Sequence, residues 1–252
     1  MRRFVQPLVL VFVSVAVVAG CASSRRSAFL PGEGPEAIYD LGVEAMTAGD
    51  FRDAILYFQA LQARFPFSNV TRQAQLDLIY AYFRNRERAA AIDAAEAFER
   101  ENPTHPRVDY ALYMRGLAYF DPPANWLERV FNVELEIRPP RDSVQAFSVF
   151  QELLRRFPQS QYADDARERM IFLRNRLAAY ENHVAEYYMT RGAYVAATNR
   201  AKYAVEHYPG APQIERSLEI LVEAYETLGM TDLASDARRV LLETRGSIAS
   251  NQ

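Results

Sequence analysis

The chain has 252 residues, with 29 Lys and Arg against 32 Asp and Glu, three histidines and one cysteine. A formal net charge of −3 offers a polyanion little to hold, which excludes non-specific nucleic-acid binding. A lone cysteine excludes an internal disulfide, so the fold must hold by packing alone.

Arg2 and Arg3 precede an almost uncharged apolar run from Leu8 to Val18, and Val18-Ala19-Gly20-Cys21 closes it. A positive start, a short apolar stretch and small residues at its end are the parts of a secretory signal. The run falls short of the roughly 20 apolar residues that a membrane span takes. With the cysteine directly behind the small residues, the pattern is similar to a bacterial lipobox, Val18 standing for the commoner Leu. The expectation is a lipoprotein signal peptide over 1–20 and a mature chain that starts at Cys21, bearing S-diacylglycerol and an N-acyl chain; no other cofactor is expected. Ala22-Ser23 follow, in place of the Asp that favours retention at the inner membrane, so the expected place is the periplasmic face of the outer membrane. Residues 21–35, with Pro31, Gly32, Gly34 and Pro35 and no periodicity, read as a lipidated flexible tether.

Four later stretches end alike, at Arg64-Phe65-Pro66, Glu101-Asn102-Pro103, Arg156-Phe157-Pro158 and His207-Tyr208-Pro209. The first two prolines stand 37 residues apart, close to the roughly 34 of a tetratricopeptide repeat. In the first unit Gly42 and Ala54 are small enough to let two antiparallel helices meet, Leu41 and Phe58 fill the seam, and Gly49-Asp50 makes the turn. Leu78, Tyr82, Ala91 and Phe98 continue the register in the second unit; Leu112, Gly116, Tyr119, Ala146, Phe150 and Leu153 do so in the third. Val184, Ala185, Tyr188, Gly192, Ala197, Ala201 and Ala204 form the fourth, and Leu218, Leu221, Tyr225, Gly229, Ala234 and Leu241 the fifth. This predicts an all-α tetratricopeptide-repeat superhelix of about five helix pairs over 36–245, with N-terminal repeats at about 36–120 and C-terminal repeats at about 142–245.

Residues 121–141 interrupt the array between Pro122-Pro123 and Pro139-Pro140 and carry Trp126, the only tryptophan. They are either a loop folded back on the array or a docking surface. From Tyr162 to Arg191 the chain is apolar at Met170, Leu173, Leu177, Tyr180 and Val184, which predicts one long helix joining the third and fourth units. The end, 246–252, reads as a disordered tail.

Nothing in the chain has the spacing of a catalytic or metal site. There is no Gly-rich phosphate loop and no His-Glu-x-x-His, and His105, His183 and His207 lie far apart. The residues expected to work are aromatic. In tetratricopeptide arrays the first helix of each pair lines a groove, and that register places Tyr39, then Leu76, Tyr80, Phe83 and Arg84, then Tyr110 and Tyr113 along it, together with Val43, Met46, Leu117 and Phe120. About half of these are expected to be interhelical core. The rest would suit an extended apolar or aromatic peptide, with Arg84 available to a carboxylate.

Specific strings sharpen the picture. Gln75-Leu76-Asp77-Leu78-Ile79-Tyr80-Ala81-Tyr82, Asn102-Pro103-Thr104-His105-Pro106, Tyr113-Met114-Arg115-Gly116-Leu117 and Val184-Ala185-Glu186-Tyr187-Tyr188 with Arg191-Gly192-Ala193 closely resemble the BamD (ComL) family, outer-membrane lipoproteins of the β-barrel assembly machinery. The likeness runs from about Pro35 to about Leu241. It implies a non-catalytic scaffold whose N-terminal groove recognises the C-terminal strand of unfolded outer-membrane β-barrel proteins. It implies C-terminal repeats that hold BamA through its last POTRA domain, with other Bam lipoproteins as further partners. In the string Gly192-Ala193-Tyr194-Val195-Ala196-Ala197-Thr198-Asn199-Arg200, Arg200 would pair with an acidic residue of BamA, beside Tyr194 where enterobacterial members carry Trp. Anchor and fold alone would equally suit another periplasmic tetratricopeptide lipoprotein that scaffolds cell-envelope synthesis or division.

Overall fold

The computed structural model describes residues 34–120 and 140–250, and among them ten α-helices follow one another. They are α1 (Pro35–Thr47), α2 (Phe51–Arg64), α3 (Asn69–Arg84), α4 (Arg88–Glu101), α5 (Val108–Tyr119), α6 (Arg141–Arg156), α7 (Ala163–Thr190), α8 (Tyr194–His207), α9 (Ile214–Thr227) and α10 (Thr231–Ser250). Cys21, with the signal and the tether as far as residue 33, and Trp126, with residues 121–139 of the insert, lie outside the described residues. Each helix packs on the next, and first helices also pack on first helices: α1 on α3, α3 on α5, α7 on α9. That is the all-α stack of helix pairs that the repeat predicts.

The recurring prolines work as helix stops. Phe65, Asn102, Phe157 and Tyr208 cap α2, α4, α6 and α8 with φ of −133, −130, −132 and −126° and ψ of 56, 53, 62 and 46°. A following proline disfavours the helical region for each of them. Their N–H groups still close the last turn on the carbonyls of Leu61, Phe98, Leu153 and Ala204, at 2.7–3.0 Å. One backbone solution therefore serves four repeats. Inside the pairs, Gly49, Gly192 and Gly229 take the left-handed turn at φ 81, 70 and 72°. In the second pair the same place is held by Arg86 at φ 64°.

Close approach within a pair depends on glycine, as the pattern suggested. A Cβ on Gly42 would run into the ring of Phe58, and one on Gly116 would stand 2.5 Å from Phe150 Cε1. Phe58 and Phe150 are fully buried. Among the described residues three core clusters result: an N-terminal one around Phe58 and Leu61, a middle one around Phe98, Leu112 and Phe150, and a C-terminal one around Leu177, Leu218 and Ile220. The 28-residue α7 enters two of them, with Leu173 in the middle core and Leu177 in the C-terminal one. It is thus the strut between the two halves.

Three boundaries differ from the sequence reading: Pro35, expected as the last residue of the tether, is the first residue of α1, where its missing N–H costs nothing. Arg141 opens α6 and does not close the insert. Helix α10 runs to Ser250, so the stretch expected as a disordered tail from 246 is helical that far. No proline follows Leu241 to stop it. Among the described residues, no helix is long and apolar enough to cross a membrane.

Candidate functional site

Tyr39 on α1, Tyr80 on α3 and Tyr110 and Tyr113 on α5 are half-buried, and Arg84 on α3 is exposed. Stacking of the first helices brings them into one row. Tyr39 Oη donates to Asp77 Oδ2 of α3 at 2.8 Å, and Gln73 Nε2 donates to Asp77 Oδ1 at 3.1 Å. Burial pushes the Asp77 carboxyl above the ordinary carboxylate range, and the Tyr39 and Gln73 hydrogen bonds hold it back. Burial, and after it the Asp77 carboxylate, raises the Tyr39 and Tyr110 phenols. Arg84 lies across the rings of Phe51 and Tyr80, 4.7 and 5.4 Å from their centroids, and donates to Tyr80 Oη. A guanidinium over a ring face is attracted by the ring quadrupole.

The row continues at the start of α7. Tyr113 stacks on Tyr162 with centroids 4.6 Å apart and planes 15° apart, and Tyr110 meets the same ring at 5.8 Å. Tyr113 Oη donates to Asp165 Oδ2 at 2.8 Å; Arg169 Nε donates to the same oxygen at 2.5 Å. Burial alone would raise the Asp165 carboxyl, but the hydrogen bonds from Arg169 and Tyr113 outweigh it and leave it below its ordinary value. The hydroxyls of Tyr39 and Tyr113 are thus committed to carboxylates. What those tyrosines offer outward is ring carbon, which suits aliphatic or aromatic groups.

Leu76 does not belong to this row. It is 1% exposed and sealed in the middle core, which α3 shares with Ala95 and Phe98 of α4 and Val108, Ala111 and Leu112 of α5. Phe83 is half-buried against the same core, and Phe120 is closed beneath contacts with Phe150 and Phe172. Sequence reading passes over Phe51, Asp77, Tyr162 and Asp165. Aligning the turns at Pro103 and Pro158 would have found Tyr162: it caps α7 as Arg107 caps α5, and Arg107 itself lies 4.8 Å from the Tyr110 ring.

The second surface lies on α7 and α8. Arg200 Nη1 donates to Glu181 Oε2 at 3.2 Å; the arginine side chain is 46% exposed and the glutamate 9%. Tyr188, Ala196, Asn199, Arg200 and Tyr203 line an open pocket of about 400 Å³. Tyr187, Val195 and Tyr203 are exposed on the same two helices. Tyr194 opens α8 and is half-buried, and it is not among the side chains lining this pocket. The structure thus gives Arg200 a carboxylate from its own chain, a partner that the string around it does not reveal.

The family model of the outer membrane lipoprotein YfiO matches residues 32–241. The outer membrane protein assembly factor BamD of Vibrio cholerae serotype O1 is 38% identical over 229 residues, which cover 91% of this chain and 94% of that protein. The chain belongs to the BamD (YfiO) family of outer-membrane lipoproteins. Among other BamD proteins, that of Neisseria meningitidis serogroup A is 41% identical over 206 residues, 82% of this chain and 77% of its own. That of Xylella fastidiosa strain Temecula1 is 34% identical over 241 residues, 94% and 82% of the two chains. As a BamD family member the chain is an outer-membrane lipoprotein held on the periplasmic face. The matched stretch contains both the tyrosine row and Arg200.

Proposed function

We propose that the chain works through two surfaces: the tyrosine row takes the C-terminal strand of unfolded outer-membrane β-barrel proteins, and α8 docks on BamA through its last POTRA domain. Membership of the BamD family makes the chain a non-catalytic scaffold of the β-barrel assembly machinery. The observation that carries the first surface is the row itself. Tyr39 and Tyr113 are tethered by their hydroxyls, Tyr110 and Tyr162 meet beside them, and Arg84 keeps spare donors above Phe51 and Tyr80. Rigid ring carbon next to an exposed guanidinium suits a strand that ends in an aromatic residue and a free carboxylate.

Retention at the membrane fits a lipid-bearing Cys21 on a tether that ends before α1 opens at Pro35. Each buried methylene contributes about 0.8 kcal/mol, so S-diacylglycerol with an N-acyl chain would hold the protein persistently. The repeat array, from α1 to α10, would then reach the assembly partners, other Bam lipoproteins among them.

The test of the groove is photocrosslinking of the lipoprotein to a synthetic barrel C-terminal peptide ending in Phe. Tyr80→Ala with Tyr113→Ala should lower crosslinking severalfold while circular dichroism keeps its helical signal. Full crosslinking in a folded double variant would remove the row from the reading.

A further inference from the structure

The C-terminal surface contains a charged group that contact with a partner does not require and that burial makes costly. Glu181 lies in the middle of α7, 7% exposed, where a lone carboxylate is strongly disfavoured. Burial raises its pKa, and the hydrogen bond and charge of Arg200 oppose that rise. One residue further along, Asn182 Nδ2 donates to the Gln213 carbonyl at 2.8 Å and Asn182 Oδ1 accepts from Ser217 Oγ at 2.6 Å. These bonds lock the rotation of α7 against α9 and so fix where Glu181 stands. On the other side, α8 presents Arg200 to it.

An arginine carries five N–H donors in a rigid plane. Glu181 takes one from Nη1, and the side chain remains 46% exposed beside the pocket that it lines with Tyr188, Asn199 and Tyr203. A free arginine on a helix samples many rotamers and must give them up on binding; one already held at Nη1 has given them up beforehand.

We propose that Glu181 is a positioning residue, which holds the Arg200 guanidinium with its outer N–H groups set to receive an acidic side chain of the partner among the aromatic residues of α7 and α8. This rests on the reading above in which Arg200 faces BamA. A partner carboxylate completes a carboxylate–guanidinium–carboxylate arrangement: the buried acid fixes the cation, and the incoming one finds the remaining donors aligned. Arg200 therefore has two roles, a structural one toward Glu181 and a docking one outward, and single substitutions of Arg200 confound them.

The experiment measures binding of the full mature chain to purified BamA, with thermal melting followed in parallel. Glu181→Gln should keep the fold and weaken binding roughly three- to tenfold, the worth of one immobilised long side chain. Glu181→Asp keeps the charge but draws it back by one methylene; it should fall between Glu181→Gln and the parent, and it serves in place of Glu181→Gln should that variant unfold. The decisive arm is the exchange Glu181→Arg with Arg200→Glu. It should recover melting relative to Arg200→Glu alone and leave BamA binding lost, because the outward charge is then reversed. Recovery of binding by the exchange would mean that the pair is only structural, and would overturn the proposal. Arg200→Leu separates the two readings. If it weakens binding while neither Glu181 variant does, the positioning role alone falls; if it leaves binding unchanged, Arg200 does not face BamA and both fall.

Discussion

The ring of Phe150 on α6 occupies the space that a side chain at Gly116 on α5 would need, with Cε1 only 2.5 Å from the Cβ position. Both residues are buried, and α5 with α6 forms the pair interrupted by the insert. Gly116→Ala should therefore destabilise the chain by about 1–3 kcal/mol through overpacking. Urea unfolding checks this, and adding Phe150→Leu should return part of the loss. An unchanged midpoint for the single variant would show that the pair can simply spread.

Arg86 should behave in the opposite way. It occupies, at φ 64°, the turn position that Gly49, Gly192 and Gly229 hold in other pairs. The left-handed region costs a residue with a Cβ roughly 1–2 kcal/mol, while glycine loses roughly 0.5–1 kcal/mol more backbone entropy on folding. Arg86→Gly should thus stabilise by about 0.5–1 kcal/mol in the same urea assay. A loss of stability would mean that the arginine side chain contributes more than its backbone costs.

Leu76 and Tyr80 share α3 and should separate cleanly. Leu76→Ala opens a cavity in the middle core and should cost about 2–5 kcal/mol, leaving peptide crosslinking per folded molecule unchanged. Tyr80→Ala should cost less stability and reduce crosslinking. The reverse pattern would place the groove on the other side of α3.

Tyr162 extends the row beyond the three first helices that the repeat register assigns to it. Its stacking on Tyr113 at 4.6 Å makes it one wall of the surface. Tyr162→Ala should weaken barrel-peptide binding by more than about 1 kcal/mol, as an aromatic anchor does. Isothermal titration with the Phe-terminated peptide measures it, and parent-like affinity would end the row at Tyr113.

Alkaline stability follows from the buried phenols. Burial raises Tyr39, Tyr110, Tyr113 and Tyr208 above the ordinary 10.0, Tyr113 to about 12. Above pH 10 the unfolded chain loses these protons before the folded one does, so the unfolded state binds fewer protons and stability falls as pH rises. Helical circular dichroism and tyrosinate absorbance, titrated together, should show part of the tyrosinate signal rising only as helicity is lost. Smooth ionisation near pH 10 with helicity intact would mean that the phenols are solvated.

The periodic parts of this protein were open to sequence reading because their causes are local. A proline after an aromatic or Asn ends a helix by backbone sterics, glycine allows a left-handed turn or a close crossing, and apolar spacing over Met170, Leu173 and Leu177 marks α7. Those rules act within a few residues, so the prolines at 66, 103, 158 and 209 and the glycines at 42 and 116 announced the helix pairs. Leu76 shows the limit: its register position pointed to the groove, yet it is closed in the middle core, and which face of a helix its neighbours cover is decided by how the repeats stack.

By itself, then, the amino-acid order determined the repeat, its stops and turns, the lone cysteine behind an apolar run, and the tyrosines as residues of interest, while Arg200 came from the resemblance to the family. Only the tertiary structure decided which rings stay open, that Asp77 and Asp165 hold the hydroxyls of Tyr39 and Tyr113, and that Glu181 meets Arg200. Such pairings join different helices across 19 to 52 residues of chain. They exist only once packing has brought those helices together, because a hydrogen bond between residues so far apart in the chain needs their side chains held within about 3 Å.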